Sequence, residues 1–260
     1  MTPPTGPVAE GRRVAVVTGA GQGIGLATAR RLAAAGHRVA LVGRDEARLE
    51  AAAAGLPGRP LCVAADVTDA GAVLGLFDTV ERAWGPVGIL VANAGGSLAA
   101  PVVDTTDEQW QQMLEVNLTA PFRCVRRVLP GMLEAGYGRI VVVASVVAKR
   151  GERQVAAYTA SKHGVLGLVR AVADETARHG VTANAVCPGY VDTPMTDATV
   201  AQISARLGGT VEDARRLLAG RQPIGRLVDP DEVAAAVLAC VDNAAINGQG
   251  INVDGGAVQS

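Results

Sequence analysis

The sequence predicts an α/β fold: a doubly wound parallel sheet of seven strands in a single domain. Three observations carry this prediction. Apolar stretches of strand length alternate with helical stretches, the apolar stretches lack strict polar alternation, and a glycine cluster follows the first of them. Strands of this kind are typical of parallel sheets covered by helices on both faces. Right-handed crossovers then place helices on both faces of the sheet. We expect the strand order 3-2-1-4-5-6-7.

The composition indicates one folded domain with a core of small residues. The 260 residues are 49% hydrophobic but only 3% aromatic, so Ala, Val, Leu and Gly must provide the packing. We expect residues 11–260 to form a single domain. Residues 1–10 hold three prolines and no apolar run, which predicts a flexible N-terminal tail rather than a signal peptide.

Charge and cysteine spacing exclude several function classes. A formal net charge of -1 gives no electrostatic reason to expect a nucleic acid or a membrane as a partner, and neither is predicted. The four cysteines are widely spaced and the three histidines lack the spacing of metal ligands, so we expect neither disulfides nor a metal site. Unpaired cysteines favour a cytoplasmic location.

The individual elements are predicted from apolar runs and helical periodicity. The predicted strands are Arg13–Thr18, Val39–Gly43, Leu61–Ala65, Ile89–Ala92, Arg139–Ala144, Thr182–Cys187 and Gly250–Val253. The predicted helices are Gly25–Ala35, Glu46–Ala54, Ala70–Trp84, Asp107–Leu133, Tyr158–Arg178 and Asp231–Ala239. Their strict alternation favours the doubly wound arrangement.

One stretch breaks this alternation, between the sixth strand and the last helix. From Asp192 to Asp229 (residues 192–229) the chain holds only weakly amphipathic segments, at Ala198–Leu207 and Glu212–Ala219. Long excursions from the carboxyl end of a strand are more often functional than not. We expect this stretch to form a helical lid over the substrate.

A glycine-rich turn connects the first strand to the first helix. Glycines allow a tight turn and bring backbone N–H groups close to a pyrophosphate, which the helix dipole also attracts. Its position between a strand and a helix predicts a Rossmann-type dinucleotide site. The residues expected to bind the dinucleotide here are Gly19, Gln22, Gly23, Ile24 and Gly25.

The end of the second strand indicates which dinucleotide binds. An NAD-binding enzyme usually places an acid here, whereas Gly43 has no carboxylate and Arg44 can pair with a 2′-phosphate. Asp45 also lies at a plausible spacing, but we expect it to cap the following helix. NADP(H) is therefore the favoured cofactor. NAD(H) stays the alternative, with Arg44 as a solvated surface cation.

Two further strand ends supply candidate cofactor contacts. Asp66 and Val67 follow the third strand, where the carboxylate can lie near an adenine or instead cap a helix. Asn93, Ala94 and Gly95 follow the fourth strand, at the crevice where the strand order is expected to reverse. We predict that all five contact the cofactor.

Ser145, Tyr158 and Lys162 are the candidate catalytic residues. Ser145 follows the fifth strand, and Tyr158 and Lys162 lie four residues apart at the start of a helix, hence on one face. Lowering the pKa of a tyrosine from about 10 to about 7 takes about 4 kcal/mol, and a neighbouring ammonium can supply part of it. We expect Tyr158 to exchange a proton with the substrate and Lys162 to lower its pKa. Ser145 would orient the substrate oxygen.

Taken together, the motifs resemble the short-chain dehydrogenase/reductase family from about Arg12 to Gly256. The matching motifs are Thr18-Gly19-x-x-x-Gly23-x-Gly25, Asn93-Ala94-Gly95, Asn117, Ser145, Tyr158-x-x-x-Lys162 and Pro188-Gly189-x-x-x-Thr193. The resemblance implies a catalytic tetrad of Asn117, Ser145, Tyr158 and Lys162. Asn117 would hold a water of the proton relay.

The resemblance also covers the nicotinamide end of the cofactor and the assembly. The residues that it implies at this end are Tyr158, Lys162, Pro188, Gly189, Val191 and Thr193. Lys162 would bind the nicotinamide ribose as well as act on Tyr158. Members of the family most often form a homotetramer, which is the assembly we expect.

Within the family, three stretches are similar to ketoreductases of polyketide synthesis and to 3-oxoacyl reductases. They are Tyr158–Gly164, Asn184–Gly189 and Pro223–Arg226. The resemblance implies interconversion of a ketone and a secondary alcohol on a small-molecule substrate, with acyl thioesters among the candidates. Val147 and Val155 stand where 3-hydroxybutyrate dehydrogenases have His and Lys, so free 3-hydroxybutyrate is not expected.

Three other functions remain to be weighed against a ketoreductase. One is a dehydrogenase of a steroid, a diol or a cyclic alcohol, which the sequence does not separate from a ketoreductase. Another is a non-catalytic NADP(H)-binding regulator, which the intact Ser, Tyr and Lys set disfavours. A sugar-nucleotide epimerase shares the Tyr-x-x-x-Lys spacing but normally has a longer chain with a second domain.

Overall fold

The computed structural model describes residues 11–259, and within this range the chain forms seven strands. The predicted tail, residues 1–10, lies outside the described residues. The strands are β1 (Val14–Thr18), β2 (Arg38–Gly43), β3 (Leu61–Ala64), β4 (Val87–Ala92), β5 (Gly138–Val143), β6 (Val181–Pro188) and β7 (Gly250–Val253). β1, β4, β5 and β6 are buried along their whole length, as their lack of strict polar alternation predicts.

The strands form one parallel sheet in the order β3-β2-β1-β4-β5-β6-β7, which confirms the predicted fold class and strand order. β1 is an interior strand, paired with β2 on one side and with β4 on the other. The chain winds from β1 out to β3 and then, in the opposite direction, from β4 to β7. The carboxyl ends of β1 and β4 therefore border the crevice where the winding reverses, which is where ligands bind in sheets of this kind.

Helices cover both faces of the sheet. They are α1 (Gly23–Ala34), α2 (Glu46–Ala53), α3 (Ala70–Trp84), α4 (Asp107–Leu114), α5 (Ala120–Ala135), α6 (Ala156–Thr176), α7 (Pro194–Leu207), α8 (Val211–Ala219) and α9 (Pro230–Asp242). Side chains of α3, α5 and α6 pack on one face, and those of α1, α2 and α9 on the other. Across residues 11–259, no helix has both the length and the apolar character that crossing a bilayer requires.

The helix predicted over Asp107–Leu133 is interrupted in the structure, which corrects the sequence prediction. α4 ends at Leu114, and a π-helical turn, Glu115–Thr119, separates it from α5. Such widened turns insert one extra residue per turn and often occur at functional sites. Here the turn directs Asn117 into the interior, where it is 1% exposed.

The stretch predicted to form a lid contains two regular helices, α7 and α8. α7 begins earlier than the amphipathic segment indicated, because Thr193 caps its first turn and Pro194 occupies its first position. The two helices pack on each other around a small apolar cluster that is separate from both layers of the core. Its buried members are Val200, Ala214 and Leu218.

Two glycines provide a test of the packing around β5. A Cβ on Gly138 would lie 2.6 Å from Sδ and 2.8 Å from Cβ of the fully buried Met132, whereas a Cβ on Gly131 in α5 would meet no atom within 4 Å. We expect Gly138→Ala to lower the free energy of unfolding by about 1–3 kcal/mol, because the core has no room for the methyl group. Gly131→Ala should raise it by about 0.5–1 kcal/mol, since alanine loses less conformational freedom in a helix.

Urea unfolding followed by circular dichroism, at one fixed protein concentration, measures both changes. A Gly138→Ala protein as stable as its parent would contradict the packing described for β5.

Candidate active site

The residues predicted to be functional gather at the carboxyl edge of the sheet. Gly19 follows β1, Asn93 follows β4 and Ser145 follows β5 by two positions, while Tyr158 and Lys162 lie in the first two turns of α6. Because parallel strands all end at the same edge, residues far apart in sequence become neighbours there. The site therefore has two halves, a glycine-rich half at β1 and a hydroxyl-rich half at β5 and α6.

The glycine-rich half depends on a close approach of α1 to β1. Gly19 has a positive φ of 65°, and a Cβ on it would lie 2.8 Å from Nδ2 of Asn93. A Cβ on Gly25 would lie only 2.3 Å from the carbonyl oxygen of Gly19. Neither position can carry a side chain without moving the backbone. The helix thus begins directly above the end of the strand.

The N-terminus of α1 is left open toward the crevice. Gln22 occupies the cap position without a side-chain hydrogen bond to the helix, and the first turn contains no acidic residue. Unsatisfied N–H groups and the positive end of a helix dipole favour an anion. The glycine cradle and this open terminus together fit the diphosphate of a dinucleotide.

Asn93 joins the end of β4 to the end of β1. Its amide nitrogen Nδ2 donates to the carbonyl oxygens of Thr18 and Gly19 at 2.9 and 3.2 Å. The backbone N–H groups of Asn93 and Ala94 both donate to the Thr18 hydroxyl at 3.0 Å. The predicted contact residue Asn93 therefore also positions the glycine-rich turn.

Two arginines flank this turn, and only one of them was predicted. Arg44 is exposed after β2, and Asp45 caps α2 by accepting from the N–H of Arg48 at 3.0 Å, as expected. Arg48 donates from Nη1 to Oε1 of Gln22 at 2.9 Å, which places its guanidinium beside the predicted diphosphate site. The sequence held a signal for Arg48, since a cation in the first turn opposes the helix dipole and needs another reason to be there.

Asp66 and Val67 have different surroundings. Asp66 accepts hydrogen bonds from the N–H and the hydroxyl of Thr68 at 3.0 and 2.8 Å, and these bonds, followed by the charge of Arg44, lower its pKa. It does not cap α3, because Asp69 does so. The Val67 side chain is 8% exposed and packs in the core. The structure thus leaves the Asp66 carboxylate within electrostatic reach of Arg44.

Asn117 links α4 to the loop after β4. Its Oδ1 accepts from the N–H of Gly96 at 3.2 Å, and its Nδ2 donates to the carbonyl oxygens of Gly96 at 3.0 Å and Met113 at 3.1 Å. A Cβ on Gly95 would lie 2.8 Å from Oδ1 of Asn117 and 3.6 Å from Nζ of Lys162. Asn117 and Lys162 therefore lie close together across this glycine.

The hydroxyl-rich half brings the side chains of Ser145 and Tyr158 close together. Burial raises the pKa of the Tyr158 phenol, and the hydrogen bond with Ser145 only partly offsets this. Lys162 is 5% exposed, and its Nζ donates to the carbonyl oxygen of Val143 at 2.9 Å. Burial lowers the pKa of Lys162 to about 8.

The expectation that Lys162 lowers the pKa of Tyr158 is not supported by this geometry. The Nζ atom lies 5.7 Å from the centre of the Tyr158 ring and directs its hydrogen bond to the backbone. Burial of the phenol is the largest cause of its raised pKa. The residues of this chain keep Tyr158 protonated at neutral pH.

The segment after β6 reaches both halves of the site. A Cβ on Gly23 would lie 3.1 Å from Cγ2 of Thr193, so the start of α7 rests against the glycine-rich turn. Val191 is 4% exposed and forms an isolated parallel bridge with Val228. Pro188 ends β6, and Gly189 follows it.

Gln222 is a further residue at this segment that the sequence analysis missed. It is 1% exposed; its Oε1 accepts from the N–H of Tyr190 at 2.9 Å, and its Nε2 donates to the carbonyl oxygens of Tyr190 at 3.1 Å and Arg226 at 2.6 Å. A Cβ on Gly189 would lie 2.1 Å from Oε1 of Gln222. Gln222 thus closes the base of the stretch that contains α7 and α8. A glutamine between helices carries no sequence signal for this contact.

Comparison with known proteins agrees with this geometry. Residues 13–204 match the family model of the short chain dehydrogenases. A putative ketoacyl reductase of the granaticin polyketide synthase from Streptomyces violaceoruber is 42% identical over 250 residues, which cover 94% of this chain and 92% of the relative. The 3-oxoacyl-(acyl-carrier-protein) reductase MabA of Mycobacterium tuberculosis is 40% identical over 246 residues, which cover 94% of this chain and 92% of the relative.

A solved structure shares the whole fold. The crystal structure of a variant of actinorhodin polyketide ketoreductase with NADPH matches with a TM-score of 0.90 at 41% identity and covers 95% of this chain and 97% of that chain. The family model spans most of the chain, and the relatives exceed the identity at which a shared fold and family are secure. The chain belongs to the short-chain dehydrogenase/reductase family.

Proposed function

We propose that this protein is an NADP(H)-dependent ketoreductase that interconverts a ketone and a secondary alcohol, with 3-oxoacyl or polyketide chains as its substrate class. The observation that carries the proposal is the convergence of Ser145, Tyr158 and Lys162 beside the open N-terminus of α1. The relatives named as ketoacyl and 3-oxoacyl reductases support the substrate class. Because Ser145, Tyr158 and Lys162 are all present, a non-catalytic protein that only binds the cofactor is disfavoured.

NADP(H) would lie along the carboxyl edge of the sheet and, when bound, would supply or accept the hydride. The glycine-rich turn and the N-terminus of α1 would hold its diphosphate. Arg44 would hold the 2′-phosphate, Arg48 would lie beside the diphosphate, and Asp66 would hold the adenosine. Asn93 and Thr193 would border the nicotinamide half. The related structure with NADPH supports this choice of cofactor.

Tyr158 would donate a proton to the carbonyl oxygen during reduction. Its raised pKa keeps the phenol protonated, which suits an acid in this direction. A positioned acid contributes roughly two to four orders of magnitude in rate. Ser145, already close to Tyr158, would hold the substrate oxygen at the same place.

Lys162 and Asn117 would support this step from the other side of Gly95. One N–H of the Lys162 ammonium donates to the carbonyl oxygen of Val143, and the other N–H groups would bind the nicotinamide ribose. Both amide hydrogens of Asn117 are given to carbonyl oxygens, so its side chain would hold the loop after β4 in place. The relay water would then bind at the widened turn rather than to the amide hydrogens.

Location and assembly are part of the same proposal. The cysteines at positions 62, 124, 187 and 240 are free thiols, which favours the cytoplasm. The family resemblance favours a homotetramer and a small-molecule substrate, with an acyl thioester as the leading candidate. The stretch Asp192–Asp229 would act as a lid, because its helices have an apolar cluster of their own and are joined to the core at a narrow base.

The first prediction concerns the proton donor. Tyr158→Phe keeps the ring and removes only the hydroxyl, so turnover should fall by roughly two to four orders of magnitude while NADPH binding is retained. Reduction of a 3-oxoacyl thioester, followed by the loss of NADPH absorbance, measures turnover, and NADPH fluorescence measures binding. Tyr137→Phe is the matched control, since Tyr137 lies between Arg13 and Arg139 at the opposite edge of the sheet. Near-normal turnover by Tyr158→Phe would refute the mechanism.

The second prediction concerns the choice of cofactor. Arg44→Ala should raise the KM for NADPH by about tenfold or more and leave the KM for NADH nearly unchanged, because only NADPH carries the phosphate. Arg48→Ala should raise the KM for both cofactors, because both carry the diphosphate beside which Arg48 lies. Arg30→Ala, at an exposed position on α1, is the control for loss of one positive charge. Equal changes for both cofactors would show that Arg44 does not recognise the 2′-phosphate.

The third prediction concerns the lid. Amides of α7 and α8 should exchange hydrogen faster than those of α3, because fewer buried apolar contacts hold them. Their exchange should slow when NADP⁺ and an alcohol product are both bound. Mass spectrometry of exchanged peptides gives the rates. Identical protection of α7 with and without the two ligands would argue against a lid.

A further inference from the structure

A charged cluster lies next to the candidate catalytic residues but is not used by the proposed proton step. Arg150 and Glu152 lie on the segment that leads into α6. Tyr190 follows β6, and Arg221 follows α8. We call these four residues the Glu152 cluster.

The two oxygens of Glu152 have unequal partners. Oε1 accepts from the Tyr190 hydroxyl at 2.6 Å and from Nη1 of Arg221 at 3.1 Å. The same Nη1 also donates to the Tyr190 hydroxyl at 2.8 Å. Oε2 faces Nη2 of Arg150 at 3.5 Å, the limit of a hydrogen bond. The strong contacts therefore join Glu152 to Tyr190 and Arg221, and Arg150 is held only weakly.

Arg150 has donor capacity that its neighbours do not fill. Its Nε is buried and has no hydrogen-bond partner among the described residues. The Arg150 side chain as a whole is 38% exposed, so its Nη groups, of which Nη2 meets Glu152 only at 3.5 Å, are open to a further acceptor. The cluster also contains two guanidinium groups against one carboxylate, which leaves one positive charge unbalanced.

The cluster lies within electrostatic reach of the reacting phenol. After burial, the negative charge of Glu152 is among the causes that raise the pKa of Tyr158. Tyr190 is adjacent to Gly189 at the carboxyl edge of the sheet, the same edge as Ser145. Because the Tyr190 hydroxyl donates to Glu152 at 2.6 Å, the cluster lies at the edge of the sheet where a substrate of Tyr158 would bind.

We propose that Arg150 binds a carboxylate carried by the substrate, at some distance from the carbonyl that Tyr158 protonates. A guanidinium binds a carboxylate through two parallel N–H···O bonds, and one carboxylate balances the one excess charge. Glu152, fixed by Tyr190 and Arg221, orients Arg150 without saturating it. The inference rests on the proposed ketoreductase function and narrows its substrate class to 3-oxoacyl chains and other ketones that also carry a free carboxylate.

Binding is tested first, with probes that cannot react. Cyclohexanecarboxylate and cyclohexanecarboxamide are titrated calorimetrically into the NADP⁺-loaded protein. We expect the carboxylate to bind at least tenfold more tightly than the amide. Arg150→Gln should reduce this preference by about tenfold to a hundredfold, the range of a hydrogen-bonded charge. Arg150→Lys keeps the positive charge but loses the two parallel N–H donors of the guanidinium. It should restore part of the preference for the carboxylate.

Arg153→Gln is the matched control. Arg153 lies on the same segment and carries the same charge, but it is exposed and makes no hydrogen bond or ion pair with any residue in the range 11–259. Its substitution should leave the preference for the carboxylate within about twofold, because an exposed charge is screened by solvent and salt.

Turnover is tested with a matched pair of ketones, 4-oxocyclohexanecarboxylate and its methyl ester. We expect Arg150→Gln to lower kcat/KM for the acid at least tenfold and for the ester less than threefold. The proposal is overturned if the wild-type protein does not bind the carboxylate or binds it no better than the amide. It is also overturned if Arg150→Gln and Arg153→Gln reduce the preference equally. In each case, reduction of a neutral 3-oxoacyl thioester would still support the proposed function.

Discussion

The close approach of α1 to β1 is the contact on which the rest of the site depends. It requires glycine at positions 19 and 25, because a Cβ on Gly25 would collide with the backbone of Gly19. The same approach brings Asn93 onto the end of β1 and so ties the two strands that border the crevice. It also directs the uncapped N-terminus of α1 at the space between them and lets Thr193 rest on Gly23. The anion site and the lid base thus share one constraint.

A second constraint organises the reacting groups, namely the widened turn between α4 and α5. A regular helix would carry Asn117 past the loop after β4, whereas the π-turn directs its amide at both backbone groups of Gly96. This contact holds Gly95 against Lys162, whose own ammonium is fixed by Val143. Burial of these polar groups has an energetic cost, which the hydrogen bonds offset. The result is an arrangement in which Tyr158 stays protonated and Lys162 stays close to it.

The residues that join the stretch 192–229 to the core also bring charged side chains together. Gln222 pairs with the backbone of Tyr190 much as a neighbouring strand would, so the stretch with α7 and α8 leaves and rejoins the core at one place. The Tyr190 side chain then reaches Glu152, and Arg221 reaches the same carboxylate. Residues that close the lid base therefore also set the polarity beside the reacting phenol.

The sequence by itself determined the fold class, the strand order and the position of each strand to within a few residues, because burial on both faces leaves a continuous apolar pattern. It also determined the glycine-rich turn and the group of Ser145, Tyr158 and Lys162, whose spacing is local. Only the tertiary structure decided the π-turn at Asn117 and the role of Gln222. The burial of the Tyr158 phenol, which raises its pKa, was decided there too. These features depend on contacts between residues far apart in sequence and on the removal of water, for which a linear pattern has no signal.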